Sequence, residues 1–221
     1  MKQVVLDYAA MPEKLLLRQA QAGDREAFRA IMQRCNQRLF RVARAVVNND
    51  DEAEDVLQEA YLRAFVAISD FRGEAGIATW LTAITLNEAR GRLRRRRPTT
   101  DLSVMDEVGI RVIPFPALAE SPDPEAETVR AEMRRFLELA IDALPEDFRL
   151  IFMLRDVEGC SVEETATQLE INPQTVRTRL FRARHMLRQD LIAKLAGNME
   201  GVFPFLGARC ARITGRVLTR L

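Results

Sequence analysis

Apolar residues recur along this chain with the spacing of α-helices. In most segments they return every three or four residues, and the strict apolar–polar alternation of half-buried strands is almost absent. Glycine and proline cluster outside these segments. The pattern predicts an all-α fold with helices at about 12–21, 24–47, 51–68, 77–96, 126–143, 146–156, 161–169 and 174–194. Asp24 is the predicted N-cap of the second helix, and Asp50 or Asp51 that of the third.

A proline-rich stretch interrupts this pattern between residues 98 and 128. It contains five prolines and several acidic residues, and each proline fixes φ and removes a backbone donor. We therefore predict two small helical domains joined by an extended Pro-rich linker. The apolar island at 110–118 favours a linker that lies in a groove. The predicted boundaries are 1–97 for the first domain, 98–125 for the linker, 126–195 for the second domain and 196–221 for a tail.

Charge is segregated along the chain although it nearly cancels overall. The formal net charge is only +1, in a composition that is 48% hydrophobic and 29% charged and can bury a core. Acidic residues concentrate at 50–59, and arginines concentrate at 90–97 with Glu88 as the one nearby acid. Such segregation favours separate surfaces for partners of different charge.

Several classes of protein are disfavoured by the sequence. No apolar run approaches the roughly 18 residues that cross a bilayer, and residues 1–14 lack the uninterrupted apolar core of a signal peptide. Cys35, Cys160 and Cys210 fit neither a disulfide framework nor a zinc site, and His185 is the single histidine. We interpret the cysteines as reduced thiols that act as small hydrophobes. We expect a cytoplasmic, non-enzymatic protein without a cofactor, a metal or a membrane partner.

Two short helices near the C-terminus carry the strongest local signals. Residues 161–164, Ser-Val-Glu-Glu, are predicted to form a capping box. In this motif the serine hydroxyl accepts the backbone N–H of the final glutamate, and the carboxylate of that glutamate accepts the backbone N–H of the serine. Asn172 can cap the next helix, with Pro173 at its first position, where a missing N–H costs nothing. Two short helices joined by a tight turn predict a helix-turn-helix.

The second of these helices is basic on its predicted outer face. Residues 172–187 hold four arginines and one histidine but no acidic residue. On a helical wheel the buried face is Val176, Leu180, Ala183 and Leu187. Opposite lie Thr178, Phe181, Arg182 and His185, with Arg177 on the flank and Arg179 and Arg184 nearer the core, within reach of phosphates or neighbouring acids. A solvated basic face gives a similar pattern, but the caps, the short turn and the acid-free face together favour DNA binding.

The acidic segment Glu52–Ile68 predicts an amphipathic helix with an unusual outer face. Its core stripe is Ala53, Val56, Leu57, Ala60, Tyr61, Ala64 and Ile68. Opposite this stripe lie Asp55, Gln58, Glu59 and Leu62. An outward leucine framed by polar groups is typical of a protein-binding patch, yet single exposed leucines are ordinary on solvated surfaces. The residues alone leave these two interpretations level.

The segment 71–97 begins as a loop and continues as a strongly basic helix. Gly73 and Gly76 mark the loop, and the predicted core positions of the helix are Trp80, Leu81, Ile84 and Leu93. Repulsion among the arginines from Arg90 onward is unfavourable in an isolated helix, which predicts an anionic partner. Nucleic acid is favoured over a membrane, because the helix lacks a broad exposed apolar face.

Three stretches together resemble a known family. They are EAEDVLQEAYLRAF at 52–65, FRGEAGIATWLTAITLNEARGRLRRRR at 71–97, and LPEDFRLIFMLRDVEGCSVEETATQLEINPQTVRTRLFRARHML at 144–187. They resemble conserved regions two and four of bacterial sigma factors, specifically the short extracytoplasmic-function group, which keeps only those two domains. The resemblance covers about residues 12–97 and 126–191, in the right order and with a linker of suitable length.

The resemblance implies a promoter-specificity subunit that binds core RNA polymerase, directs transcription initiation in a stress response and assists strand opening. The implied contacts with the β′ clamp coiled coil of the polymerase are Asp55, Gln58, Glu59 and Leu62. The implied contacts with the minus-ten element are Phe71, Arg72, Gly73, Asn87, Arg90, Arg94, Arg95 and Arg96. Those with the minus-35 element are Arg177, Thr178, Arg179, Phe181, Arg182 and Arg184. The family also implies a linker that passes toward the RNA exit path and an anti-sigma factor that keeps the protein silent.

Two features depart from the family pattern. The turn at 172–174 is Asn-Pro-Gln, where relatives often have a small residue or glycine, and the tail beyond Ala196 lies outside the two-domain pattern. The tail predicts a basic amphipathic helix that either packs on the second domain or contacts DNA or a regulator.

Two other functions compete with that of a promoter-specificity subunit. A stand-alone helix-turn-helix regulator would need neither the acidic patch nor the loop at 71–78. A nucleic-acid-processing enzyme would need a Gly-rich loop, a metal-ligand cluster or a nucleophile–base pair, and the sequence offers none of these motifs.

Overall fold

The chain forms helices almost wherever the apolar spacing predicts them. The computed structural model describes residues 7–73, 75–96, 124–198 and 208–219. Its helices are α1 (Glu13–Gln21), α2 (Arg25–Val47), α3 (Asp50–Ala67), α4 (Ile77–Arg96), α5 (Pro124–Asp142), α6 (Glu146–Phe152), α7 (Val162–Leu169), α8 (Pro173–Asn198) and α9 (Ala208–Leu218). A 3₁₀ turn at Ile68–Asp70 follows α3, and a π-helical turn at Met153–Val157 extends α6. The described residues contain no strand, and the predicted all-α fold is confirmed.

Side-chain caps set the starts of several helices. The Asp24 carboxylate accepts the backbone N–H groups of Glu26 and Ala27, as predicted. The predicted cap of α3 is wrong, because Asn49 accepts the N–H of Glu52 in that role. Asp50 and Asp51 instead lie in the first turn, where carboxylates interact favourably with the helix dipole.

The first four helices pack into a bundle around one apolar cluster. Leu16, Ile31, Leu39 and Leu81 are among its fully buried side chains. The Tyr61 hydroxyl, at the edge of this cluster, donates to Asn36 Oδ1 at 2.8 Å. This bundle fixes which faces of α3 and α4 remain at the surface.

The helices α7 and α8 form the predicted helix-turn-helix, and α6 packs against α8. Both halves of the capping box at 161–164 are present. Glu170 ends α7 in the left-handed conformation, with φ 56°. Asn172 Oδ1 then accepts the N–H of Gln174 at 2.7 Å, and Pro173 is the first residue of α8. The turn is therefore tight even though its sequence departs from the family pattern.

The two helical domains share an apolar cluster. This cluster joins residues of α2, α3 and α4, such as Val42 and Leu86, to Ile151, Leu154 and Val176 of the second domain. The junction also contains polar contacts, among them the ion pair from Arg44 Nη2 to Asp142 Oδ2 at 2.6 Å. The described conformation is thus one in which the two domains are in contact.

The linker and the tail are only partly described. The helix α5 begins at Pro124, two residues before its predicted start, and the apolar island at 110–118 lies outside the described residues. In the tail, α9 forms where a basic amphipathic helix is predicted. Residues 211–219 are all exposed, so this part of the tail does not pack on the second domain. No helix in the described ranges is both long and apolar enough to span a bilayer.

Candidate polymerase- and DNA-binding surfaces

The outer face of α3 carries an apolar patch with a polar border. Leu62 is 65% exposed, and the side chains of Asp55, Gln58 and Glu59 are exposed around it. Val66, one turn further along, is 80% exposed and extends the apolar surface. Sequence reasoning missed Val66, although its i,i+4 spacing from Leu62 was a usable signal. We call Asp55, Gln58, Glu59, Leu62 and Val66 the α3 patch.

The acidic helix and the basic helix pair with each other. Arg92 Nη2 lies 2.6 Å from Asp55 Oδ2, and Arg96 Nη1 lies 3.1 Å from Glu52 Oε1. The later residue of α3 thus pairs with the earlier residue of α4, which shows that the two helices run antiparallel. The sequence predicted an external anionic partner for these arginines. Part of their charge is instead neutralised within the chain.

Three of the predicted minus-ten residues meet in one cavity. Asn87, Arg94 and Arg95 line a polar cavity of about 400 Å³ together with Arg63, Glu88 and Gly91. A neighbouring depression of about 580 Å³ is lined by Asp55, Gln58, Glu59, Leu62, Arg63, Glu88, Arg92 and Arg95. The α3 patch and the cavity thus share a border formed by Arg63, Glu88 and Arg95.

The remaining minus-ten residues lie elsewhere. Arg96 is paired with Glu52 as described above, and Arg90 is half-buried. The Phe71 ring packs on Trp80 with centroids 4.9 Å apart, so this ring supports the start of α4. Arg72 and Gly73 are exposed, and Gly73 has φ +72°, which favours glycine. The loop precedes α4, whose first residue, Ile77, is about 15 Å along the helix axis from Asn87, at 1.5 Å per residue.

The loop is held to the bundle by one glutamine. Gln21 Nε2 donates to the carbonyl oxygens of Ile68 at 3.2 Å and Phe71 at 2.9 Å. These two bonds fix the path of the chain just before Arg72. The exposed part of the loop therefore begins from a defined position.

The outer face of α8 matches the helical wheel. Val176, Leu180, Ala183 and Leu187 are buried, whereas Thr178, Phe181, Arg182 and His185 are exposed. Phe181 is 73% exposed, which is unusual for a large aromatic side chain. An exposed aromatic ring beside arginines suits contact with base edges and thymine methyl groups.

The arginines of α8 differ in how they are engaged. Arg184 donates from Nε and Nη2 to both oxygens of Asp156, at 2.8 and 2.6 Å. Arg179 Nη2 lies 2.9 Å from Asp147 Oδ2, and Arg177 lies 3.7 Å from Glu163. Arg182 forms no ion pair with the described residues. Arg179 and Arg184 therefore satisfy neighbouring acids, one of the two roles that the wheel left open.

The described cysteines have the environment of small buried hydrophobes. Cys35 and Cys160 are free and buried. Burial raises the pKa of Cys35 to about 11 and also raises the pKa of Cys160. Raised pKa values keep both thiols protonated and weakly nucleophilic at neutral pH. No group of His, Cys, Asp and Glu among the described residues is arranged to hold a metal ion.

Two family profiles match the two domains. The profile of Sigma-70 region 2 matches residues 31–99, and that of Sigma-70 region 4 matches residues 134–187. The RNA polymerase sigma-H factor of Pseudomonas aeruginosa is 33% identical over 182 residues, which are 81% of this chain and 93% of that protein. The ECF RNA polymerase sigma-E factor of Escherichia coli K12 is 32% identical over 180 residues, 80% of this chain and 93% of that protein.

Two solved structures of similar fold are complexes. CnrH, bound to the cytosolic domain of CnrY, is 25% identical with a TM-score of 0.57, and the match covers 82% of this chain and 97% of CnrH. The sigma factor RpoE of Bartonella quintana, bound to the anti-sigma factor NepR, has a TM-score of 0.55 at 24% identity and shares the fold over 74% of this chain and 96% of that one.

Proposed function

The chain belongs to the extracytoplasmic-function sigma factors, and from that premise we propose how its surfaces divide the work of starting transcription. As a sigma factor it directs promoter-specific transcription. The α3 patch binds the clamp coiled coil of the polymerase β′ subunit. The loop at 71–73 and the basic half of α4 bind the minus-ten element, and the outer face of α8 binds the minus-35 element.

One observation carries this division most directly. An exposed apolar pair, Leu62 and Val66, lies among acidic and amide side chains in the same molecule as a helix-turn-helix with an exposed arginine face. Apolar anchors inside polar rims are typical of protein interfaces. A stand-alone helix-turn-helix regulator would have no use for this patch, so a subunit that joins polymerase to promoter is the better account.

The protein acts by binding and not by chemistry of its own. Opening of the minus-ten element requires a base to leave the stack, which costs a few kcal/mol. Contacts with the unpaired strand offset that cost. The site of action is the cytoplasm, where the polymerase is found.

An anti-sigma factor is a further proposed partner. Support comes from CnrH, solved with CnrY, and from RpoE, solved with the anti-sigma factor NepR. An inhibitor that covered the α3 patch and the outer face of α8 would block polymerase and promoter together.

Leu62→Arg tests the proposed function. A buried charge in place of an apolar anchor should weaken binding to core polymerase by roughly 30-fold or more, as loss of an interface hot spot does. Fluorescence anisotropy with purified core polymerase measures the affinity, and run-off transcription from a promoter library measures initiation.

The matched control is Leu15→Arg, since Leu15 is another exposed leucine of the same bundle, 47% exposed on α1. This control should keep wild-type affinity and transcripts. Equal behaviour of the two variants would remove the α3 patch from the proposal. A wild-type protein that neither binds core polymerase nor starts any transcript would overturn the function itself.

A further inference from the structure

The tail helix α9 has an apolar face that the described part of the chain leaves open. Ile213 is 45% exposed, Val217 is 52% exposed and Leu218 is 66% exposed. At 3.6 residues per turn these three side chains fall within a sector of about 140°, with Thr214 between them. An amphipathic helix normally turns such a sector toward a second apolar surface. We call Ile213, Val217 and Leu218 the α9 apolar face.

The same helix is strongly basic. Residues 201–221 contain four arginines and no acidic residue. Arg212 and Arg216 are exposed and lie one turn apart, on a stripe beside the α9 apolar face, and neither forms an ion pair with the described residues. They differ in this from Arg92 and Arg96 of α4, which are paired with acids of α3. The positive charge of α9 is therefore available to an external anionic surface.

The length of α9 also points to a partner. The helix has 11 residues, Ala208–Leu218, and includes Gly215. Isolated helices shorter than about 12–15 residues are marginal in water, and an interior glycine lowers helix propensity further. A partner that covers the α9 apolar face would supply the stabilisation that local propensity lacks.

An anionic lipid bilayer matches the apolar face and the arginines together. Helices that lie in the plane of a bilayer surface bury an apolar face where the headgroups meet the acyl chains, and they hold their basic residues against anionic headgroups. The phosphate backbone of DNA would pair with Arg212 and Arg216 but would leave the α9 apolar face in water. The criterion that favoured nucleic acid for α4, the lack of a broad exposed apolar face, thus favours a membrane for α9.

We propose that α9 binds reversibly to the surface of a membrane that contains anionic phospholipids, with the α9 apolar face toward the acyl chains and Arg212 and Arg216 on the headgroup phosphates. The sequence predicted no membrane partner because no segment can cross a bilayer, but a helix that lies on the surface needs no such segment. The inference goes beyond the proposed function, whose surfaces lie on α3, α4 and α8.

Flotation of the full chain with vesicles tests the proposal, over a series of lipid concentrations. Vesicles of equal parts phosphatidylglycerol and phosphatidylcholine supply the anionic surface, and vesicles of phosphatidylcholine alone supply a neutral one. The wild type should bind the anionic vesicles, bind the neutral ones far more weakly and dissociate as salt is raised. A chain that ends at Gly207 should lose this binding. No binding by the wild type, or equal binding by the shortened chain, would overturn the proposal.

Ile213→Ser tests the apolar contact separately from the charge. Because this exposed isoleucine would be buried at the membrane, its loss should weaken vesicle binding by roughly 5- to 10-fold at unchanged net charge. The matched control is Ile192→Ser, since Ile192 is a 53% exposed isoleucine of α8 and should keep wild-type binding. An Ile213→Ser chain that bound the vesicles as tightly as this control would overturn the proposal.

The double variant Arg212→Gln, Arg216→Gln tests the headgroup contact. An arginine near an anionic surface contributes about 5-fold to binding, so the loss of two should weaken it by roughly 20- to 30-fold and reduce its salt dependence. The control is Arg130→Gln with Arg135→Gln, which removes the same charge from exposed positions of α5. Equal losses in the two double variants would show attraction by net charge alone and would overturn the proposal.

Two other ligands distinguish this inference from DNA binding by the tail and from the proposed function. Anisotropy measures the affinity of Ile213→Ser and of the double α9 variant for a promoter duplex and for core polymerase. Ile213→Ser should keep both affinities at the wild-type value. A loss of duplex affinity in either variant, with unchanged vesicle binding, would assign α9 to DNA and overturn the proposal. A wild type that binds vesicles as expected but not core polymerase would overturn only the proposed function.

Discussion

The four arginines in the first half of α8 share one helix but have different environments. Arg184 is held by two bonds to Asp156, and Arg179 is paired with Asp147. Arg177 lies near Glu163 at the longer distance of 3.7 Å. Arg182 is exposed and forms no ion pair within the described residues. A guanidinium that must first leave an acid contributes less to DNA binding than one already available, so Arg182 is the best candidate to contact a base.

Arg182→Ala should therefore reduce sequence discrimination more than overall binding. Loss of one bidentate arginine–guanine contact costs about 1–3 kcal/mol at one base pair and relaxes specificity there. Anisotropy with a panel of minus-35 duplexes, each changed at one base pair, measures this effect. Arg188→Ala is the control, because Arg188 is exposed further along the same helix. A larger loss of discrimination for Arg184→Ala than for Arg182→Ala would refute the ranking by availability.

For individual residues, a sequence pattern predicts which way a side chain faces but not which distant residue it contacts. Leu62 could be placed on the outer face of α3 by counting residues, because the helical period fixes direction. Glu88 could not be assigned a role in this way, because its partner Arg63 is 25 positions away on another helix. Such contacts depend on how two helices pack, which no local pattern encodes.

At the scale of elements, the capping box of α7 shows local sequence acting as predicted. The Ser161 hydroxyl accepts the N–H of Glu164 at 3.0 Å, and Glu164 Oε2 accepts the N–H of Ser161 at 2.7 Å. The backbone N–H of Ser161, and then its hydroxyl, lower the pKa of Glu164 below its ordinary value. The start of the helix-turn-helix thus depends on one serine and one ionised glutamate.

Ser161→Ala should lower the free energy of unfolding by about 1 kcal/mol, the usual cost of a lost N-cap. Urea denaturation followed by circular dichroism measures it. Thr167→Ala is the control, since the Thr167 hydroxyl bonds only within α7, to the carbonyl of Glu163. A Ser161→Ala midpoint equal to that of the control would show that the cap contributes little.

The same box gives a pH dependence with a definite sign. Because the folded state lowers the pKa of Glu164, its contribution is present above the ordinary glutamate pKa of 4.5 and is lost as pH falls through the lower folded value. Glu164→Gln keeps an accepting oxygen but does not titrate. The stability advantage of the wild type over this variant should therefore shrink as pH is lowered below 4.5, measured by urea denaturation at each pH. An advantage that grew in acid would contradict this assignment.

The helix boundaries were largely predictable because caps and apolar spacing are local. Asp24, Ser161 and Asn172 were identified as caps from their position before apolar periodicity. Asn49 was missed as the cap of α3 because three consecutive candidates, Asn49, Asp50 and Asp51, all favour this position. Which of them caps depends on where α2 ends and the chain turns.

At the scale of the whole molecule, the buried Arg149 connects the two domains. Its guanidinium donates to the carbonyl of Ala45 in α2 at 2.7 Å, and to those of Asp142 and Leu144 in the second domain at 2.9 and 3.3 Å. Burial lowers the pKa of this arginine, and nearby Asp142 partly offsets that effect. The residue lies beside the apolar cluster that both domains share.

Arg149→Met should keep the apolar stem but leave these carbonyls without their donor. Buried carbonyls without partners cost about 1 kcal/mol or more each, so we expect a loss of about 2–3 kcal/mol. Because the bond to Ala45 joins the two domains and the other two bonds lie within the second domain, the single unfolding transition expected for the shared core should split, with the second domain unfolding at lower urea. The control Arg135→Met changes an exposed arginine of α5 and should alter stability by less than about 0.5 kcal/mol. One unshifted transition for Arg149→Met would contradict this role.

The sequence by itself determined the helices, most of the caps that it predicted, their buried faces and the family to which the chain belongs. Those properties depend on spacing along a few turns and on motifs in a fixed order. Only the tertiary structure decided that the acidic and basic blocks pair across α3 and α4, that Glu88 holds arginines of two helices around one cavity, and that the two domains share a core. Each of these depends on which helices lie side by side, and the charge pattern alone predicted external partners for residues that first find partners in their own chain.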